Sequence, residues 1–245
     1  MYTRLARVYD RLMDDVDYAA WARYYIAIIE RFGKKPNSIF ESACGTGSLT
    51  AELAQYGFKL VAADLSQDML EVARGKLRKR GVRVPLVCQD MRRLEVANRV
   101  DAVIACCDGV NYLTDDESAH DFAQHAFCAL RPGGVLAFDV STTEKLKGMD
   151  GQTYCDERED IAAIWKTTFD AASACLTMEV SLYAAEPNGL YRRMEEIHVQ
   201  RARSIDEITD ILAEAGFADI RAYGDRTFEQ AQTGDMRVHF AARRP

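Results

Sequence analysis

The sequence predicts an α/β fold: a mainly parallel sheet with helices on both faces, interrupted by a small antiparallel β insertion. Three observations predict it. From residue 37 to 141, short apolar runs alternate with longer amphipathic segments, the rhythm of strand-helix-strand units joined by right-handed crossovers. After about residue 150 the pattern becomes strand-like with a hairpin signal. From residue 204 a helix and two more strands complete the main body. With 245 residues, 48% of them apolar and 28% charged, the chain is large enough to bury a full core.

The elements follow in order. "YTRLARVYDRLM" and "DYAAWARYYIAIIERFG" read as two helices, the second capped by Asp17 and stopped at Gly33. "SIFESAC" is a strand, 47–56 a helix, "FKLVAAD" a strand, 66–80 a helix, and "VRVPLVCQD" and "RVDAVIACC" are strands. A helix over 115–130 leads through "RPGG" into the strand "VLAFDVS". "DIAAIWKTTFD", "ACLTMEVSLYAAE" and "GLYRRMEEIHVQRA" form about three antiparallel strands, with "PNG" at 187–189 turning the last hairpin. "SIDEITDILAEAGF" opens with a capping box, Ser204 to Glu207. "FADIRAYGD" and "MRVHFAARR" end the chain as strands. Residues 1–150 and 203–245 thus make one core, with 1–35 as a helical cap. The insertion, 151–202, is too small to stand alone, and it either covers the site or pairs between chains in a homodimer.

Composition narrows the function. The formal net charge of −7 disfavours attraction to nucleic acid. No apolar run reaches the roughly 18 residues that span a bilayer, and the first residues lack the basic start and apolar stretch of a signal peptide, so the expected location is cytoplasmic. The seven cysteines are scattered without C-x-x-C spacing and read as buried free thiols. His120 and His125, five apart on a helix, do not share a face, so no metal is expected.

The chemistry concentrates in "ESACGTGSLT" at 41–50. Gly45 and Gly47 follow a strand and precede a helix, where a ligand of an open α/β sheet comes closest to the backbone. Nineteen residues beyond Gly45, Asp64 ends the next strand, placed to accept from ribose hydroxyls. A nicotinamide dinucleotide fits poorly, because Thr50 replaces the third glycine and Glu41 would face phosphates. A ligand with an ammonium and a sulfonium suits these acids better. Asp90, after the third strand, can accept from an adenine amine while Met91 packs on the ring.

"IFESACGTGSLTAELA", "VAADLSQDMLEVAR", "VCQDMRRL", "VDAVIACCDGVNYL" and "LRPGGVLAFDV" together resemble the class I S-adenosylmethionine-dependent methyltransferases in order and spacing, over roughly 37 to 141. The resemblance implies a Rossmann-like sheet of seven strands with the last antiparallel, and S-adenosylmethionine as cofactor. It implies that Glu41, Ala43, Cys44 and Gly45 line the methionine half, with Cys106 nearby. Asp64 then holds the ribose, Leu65 and Met69 flank the adenine, and Asp90 and Met91 read its edge. "VYDRLMDDVDYAAW" and the insertion are similar to a bacterial subgroup that includes relatives of sugar-amine N-methyltransferases. In the aromatic-rich N-terminal helices, Tyr9 and Trp21 are the candidates to face the cofactor, the remaining aromatics packing on the body.

On the acceptor side, "CCDGVNYL" projects toward the methyl group, with Asp108 and Asn111 as candidate catalytic residues and Tyr112 as a packing residue. His198, on an insertion strand, is the candidate base if an amine must lose a proton. The expected activity is methyl transfer to a small-molecule acceptor such as an amine. The alternatives are an RNA or protein methyltransferase, or a protein that binds the cofactor or its product without turnover.

Overall fold

The computed structural model describes residues 6–33 and 35–245. The part of the first expected helix before residue 6 lies outside them. Two helices, α1 (Ala6–Leu12) and α2 (Tyr18–Glu30), precede the sheet. Asp17 caps α2 as expected, its Oδ1 accepting from the Ala20 N–H at 2.8 Å.

The main sheet takes its strands from both ends of the sequence: β1 (Ser38–Ser42), β2 (Lys59–Asp64), β3 (Leu86–Cys88), β4 (Val100–Ala105), β5 (Leu130–Ser141), β10 (Ala218–Gly224) and β11 (Arg237–Arg243). Their spatial order is β10-β11-β5-β4-β1-β2-β3. β11 is antiparallel to both neighbours, and the pairs from β5 through β3 are parallel. The order reverses at β1, whose neighbours are β2 and β4, and there a crevice opens beyond the carboxyl ends.

Strand residues alternate between two cores, because successive side chains leave opposite faces of a strand. Phe40, Val103, Leu136 and Phe138 pack with Phe122 of α5 (Asp116–Ala129) and Leu212 of α7 (Ile205–Glu214). Ile39, Ala102, Ile104 and Ala137 pack on the other face with α2 and α3 (Ser48–Leu53). The expected helices on both faces are therefore present, as is the capping box of Ser204 and Glu207.

Four expectations change. The insertion has four strands, β6 (Thr153–Glu157), β7 (Ile161–Asp170), β8 (Cys175–Ala185) and β9 (Tyr191–Arg201), in sequential antiparallel order. β6 has no apolar pattern because it is a largely exposed edge strand. The third core strand spans only Leu86–Cys88, since Pro85 supplies no N–H and contributes its carbonyl to Ala62 instead. A short helix, α6 (Thr143–Gly148), follows β5. Of the cysteines, Cys44 and Cys106 are buried, but Cys88, Cys128 and Cys155 are exposed, two of them on edge strands and Cys128 on the solvent side of α5.

One face of the insertion sheet is apolar, and α1 lies on it: Val8 and Leu12 pack against Ile161, Ala163, Val180 and Leu182. The same helix reaches the core, where Asp10 accepts from Thr46 Oγ1 at 2.6 Å and from Lys76 Nζ at 2.8 Å, Lys76 lying on α4 (Gln67–Lys79). α1 therefore bridges insertion and core directly over the glycine loop. Among the described residues no helix is long and apolar enough to cross a membrane.

Candidate active site

A cavity of about 520 Å³ opens at the carboxyl ends of β1, β2 and β4 and the residues after β3. Its floor is the glycine loop, where the backbone turns through positive φ at Ala43 (54°), Gly45 (55°) and Gly47 (73°). Ala43 holds this uncommon conformation between fixed neighbours, since the Cys44 N–H donates to the Ala63 carbonyl at 2.9 Å and the Gly47 N–H to the Cys44 carbonyl at 3.0 Å. A side chain on Gly47 would meet the Ala73 Cβ at 2.9 Å, so this glycine allows the close packing of α3 against α4.

Glu41 is almost fully buried in the cavity wall, and its Oε2 has no hydrogen-bond partner among the described residues. The Thr50 hydroxyl lies beside it without a well-formed hydrogen bond, and its Oγ1 is likewise unpartnered. Burial pushes the Glu41 carboxyl up to about 8, against a lowering by the Thr50 hydroxyl. A buried acceptor left unpaired is unfavourable unless something fills it. An ammonium is the complementary group, and a phosphate is not.

Asp64 stands at the next strand end. Its Oδ2 accepts from the Gly45 N–H and its Oδ1 from the Ser66 N–H, both at 2.8 Å. Burial raises its pKa despite these bonds. A carboxylate has about four acceptor positions, so two remain for vicinal hydroxyls. Asp90 lines the same cavity, but its carboxylate is gripped by Arg92, with Nη2 at 2.6 Å from Oδ2, and the guanidinium holds its pKa low. That pairing was not legible in the sequence. Leu65 is 64% exposed at the rim, while Met69, Met91 and Cys106 give apolar lining. Tyr9 and Tyr18 line it from the N-terminal helices.

The donor set therefore fits S-adenosylmethionine: an orphaned carboxylate for an ammonium, a strand-end acid for a ribose, and apolar side chains for an adenine. No cluster of basic groups at this floor calls for a pyrophosphate.

A second cavity, of about 360 Å³, shares Tyr9, Cys107 and Tyr112 with the first. Trp21 lines this one and not the larger, because it packs between Tyr25 and the Arg237 guanidinium, 5.2 Å from its ring. Asp108 also faces the smaller cavity. It is fixed by Arg237 Nη1 at 2.6 Å and by the Ser141 hydroxyl at 2.9 Å; burial opposes its ionisation, but Arg237 and Lys145 outweigh burial and its pKa falls. Arg237 also bonds Asp139, which is fully buried and accepts from the Cys107 N–H at 2.7 Å and the Tyr25 hydroxyl at 3.0 Å. Asp139 thus holds the 106–109 turn, where Cys107 and Asp108 adopt φ near +60°.

Asn111 lines neither cavity. Its side chain bonds both the N–H and the carbonyl of Ser141, and the Arg201 carbonyl, tying the loop to β5 and β9. His198 is buried with its Nε2 3.4 Å from Glu196 Oε2 and its ring edge-on to Tyr112, so it meets the cavities only through that tyrosine. Tyr112, read from the sequence as packing, lines both cavities. Its place in "CCDGVNYL" was the available signal.

The methyltransferase-domain family matches residues 39–134. The Bacillus subtilis protein named "Putative methyltransferase YqeM" is 30% identical over 100% of this chain and 97% of its own length. A dTDP-3-amino-3,4,6-trideoxy-alpha-D-glucopyranose N,N-dimethyltransferase of Streptomyces venezuelae is 27% identical over 75% of this chain and 76% of its own. The crystal structure of an S-adenosylmethionine-dependent methyltransferase from Clostridium acetobutylicum superposes with a TM-score of 0.87 at 26% identity, over 99% of this chain and 98% of that one. With the strand order 3-2-1-4-5 on one side, the antiparallel last strand and the acid-lined glycine loop, the chain belongs to the class I S-adenosylmethionine-dependent methyltransferases.

Proposed function

We propose that this methyltransferase modifies an amine of a small molecule, with S-adenosylmethionine held in the larger cavity by Glu41, Asp64 and the glycine loop. The observation that carries the reading is the buried, unpartnered Glu41 Oε2 at the loop, beside a second cavity that shares three residues with the first. The S. venezuelae relative, named for N,N-dimethylation of an amino sugar, supports nitrogen as the nucleophile. The acidic net charge of −7 weighs against RNA.

S-adenosylmethionine supplies a methyl group on an already activated sulfonium. The chain's task is then alignment, and orientation accounts for up to about 7–11 kcal/mol in favourable cases. Glu41 anchors the ammonium end, Asp64 fixes the ribose, and Leu65, Met69 and Met91 shield the adenine. Asp139 and Arg237 hold the 106–109 turn, which carries the wall between the two cavities, and Tyr9 and Tyr112 close that wall from either side.

Titration with S-adenosylhomocysteine, followed by a screen of amine, hydroxyl and carbon acceptors for a mass gain of one methyl, tests the reading. Micromolar binding and methylated amines are expected. Methylation confined to hydroxyl or carbon acceptors would overturn the amine assignment, and unchanged binding in Asp64→Ala would overturn the site.

A further inference from the structure

We infer that the smaller cavity receives the methyl acceptor and selects a phosphate-free cationic amine, such as a polyamine or an amine carrying a second ammonium. The inference rests on the cofactor placement above.

The cavity walls carry Asp15, Asp17, Asp108 and Asp225 against two basic residues, Arg226 and Arg237. Arg237 is not available to an anion, and Arg226 is a half-exposed guanidinium with an acid beside it. Arg237 is held between Asp108 and Asp139, and Arg226 lies 3.6 Å from Asp225. Asp17 caps α2 and so occupies the nearby helix terminus that a phosphate would otherwise use. Asp15 makes no ion pair among the described residues, leaving the wall with unneutralised negative charge. A diphosphate would meet four acids here against one exposed guanidinium that already has a carboxylate beside it.

The remaining surface suits an ammonium. Tyr9 and Tyr112 line the cavity with aromatic rings, which attract cations through their π faces. Gln200, on β9, lines the cavity, is 6% exposed, and its amide makes no hydrogen bond among the described residues. An amide that faces a cavity without a protein partner matches an acceptor with its own donors and acceptors. These features point to a ligand independently of the acids.

The shared residues Tyr9, Cys107 and Tyr112 place the acceptor's nitrogen on the side of the turn that faces the methyl group. The reacting nitrogen first loses its ammonium proton to water, and its lone pair then forms the new N–C bond as the C–S bond breaks. That bond's electron pair stays on sulfur, giving neutral S-adenosylhomocysteine, and the positive charge passes to the methylated nitrogen. A nucleotide-linked amino sugar, the substrate class in the name of the S. venezuelae relative, is disfavoured by the same walls.

The test titrates the full-length protein, saturated with S-adenosylhomocysteine, with spermidine and separately with dTDP. Spermidine should bind and dTDP should not. Gln200→Leu should weaken spermidine roughly tenfold and Asp15→Asn about threefold at low salt. Both variants should keep their affinity for S-adenosylhomocysteine, which also reports their folding. Tighter binding of dTDP than of spermidine, failure of both probes to bind, or spermidine binding unchanged in both variants would overturn the inference. Failure of S-adenosylhomocysteine itself to bind is a different result and would overturn the cofactor placement instead.

Discussion

The two cavities meet at Tyr9, Cys107 and Tyr112 but are built in different ways. The larger stands on the ends of parallel strands, each acid sitting where its own strand stops: Glu41 on β1, Asp64 on β2, Asp90 just beyond β3. The smaller gathers Asp15 and Asp17 from the connection between two helices, Gln200 from the insertion, and Asp225 and Arg237 from the end of the chain. In the arrangement we propose, a cofactor common to many enzymes is held by a rigid sheet, while the acceptor surface is drawn from peripheral segments that can vary without disturbing that sheet.

Arg237→Ala bears hardest on this contrast, because Arg237 faces the smaller cavity yet neutralises Asp139 in the core. Leaving a buried carboxylate without its guanidinium costs about 3–5 kcal/mol, measurable by urea unfolding at neutral pH. The loss should shrink in acid, where Asp139, its pKa already raised by burial, becomes neutral. A change below 1 kcal/mol would mean that the two regions are energetically separate.

Asp64→Ala should act on one cavity alone. Removing an acid that holds both the Gly45 loop and the ribose should weaken S-adenosylhomocysteine on the order of 100-fold. In calorimetry of the wild type, spermidine binding should be unaffected by which nucleoside analogue fills the larger cavity, provided the methionine half is present.

Glu41 gives a pH signature of smaller size. Burial raises its carboxyl from 4.5 to about 8, so between these values the folded chain keeps a proton that the unfolded chain has released. Its contribution to stability therefore falls as pH rises through this window. Glu41→Gln should flatten that part of the melting-temperature profile. At pH 7 the wild type should release a proton on binding S-adenosylhomocysteine, detected as a buffer-dependent binding enthalpy, and Glu41→Gln should not.

Asp10→Ala should have the smallest effect. Its carboxylate is partly exposed and screened, so losing its bonds to Thr46 and Lys76 should cost about 0.5–1 kcal/mol. Faster amide exchange confined to α1 would show that these bonds fasten the helix without supporting the glycine loop beneath it.

Much of the larger cavity was legible because its residues obey a local rule. A strand ending, a glycine turn and a helix start can each be read within ten residues of "ESACGTGSLT", and Asp64 and Asp90 repeat the placement at successive strands. Side-chain engagement was not legible: nothing in "VCQDMRRL" shows that Arg92 turns back onto Asp90. Nor does "CCDGVNYL" reveal that Asn111 spends its amide on Ser141 and Arg201 while Tyr112 faces both cavities.

The sequence by itself determined the sheet, its helices, the glycine loop and the strand-end acids that line the larger cavity, since apolar periodicity and strand-end position are properties of short segments. Tertiary packing alone decided that Trp21 and Asp108 belong to the second cavity, that Arg237 is consumed by two carboxylates, and that Gln200 lines the same cavity. The contacts of Trp21, Asp108 and Asp139 with Arg237 join residues 98 to 216 positions apart, and no local pattern fixes which side chains meet across such distances.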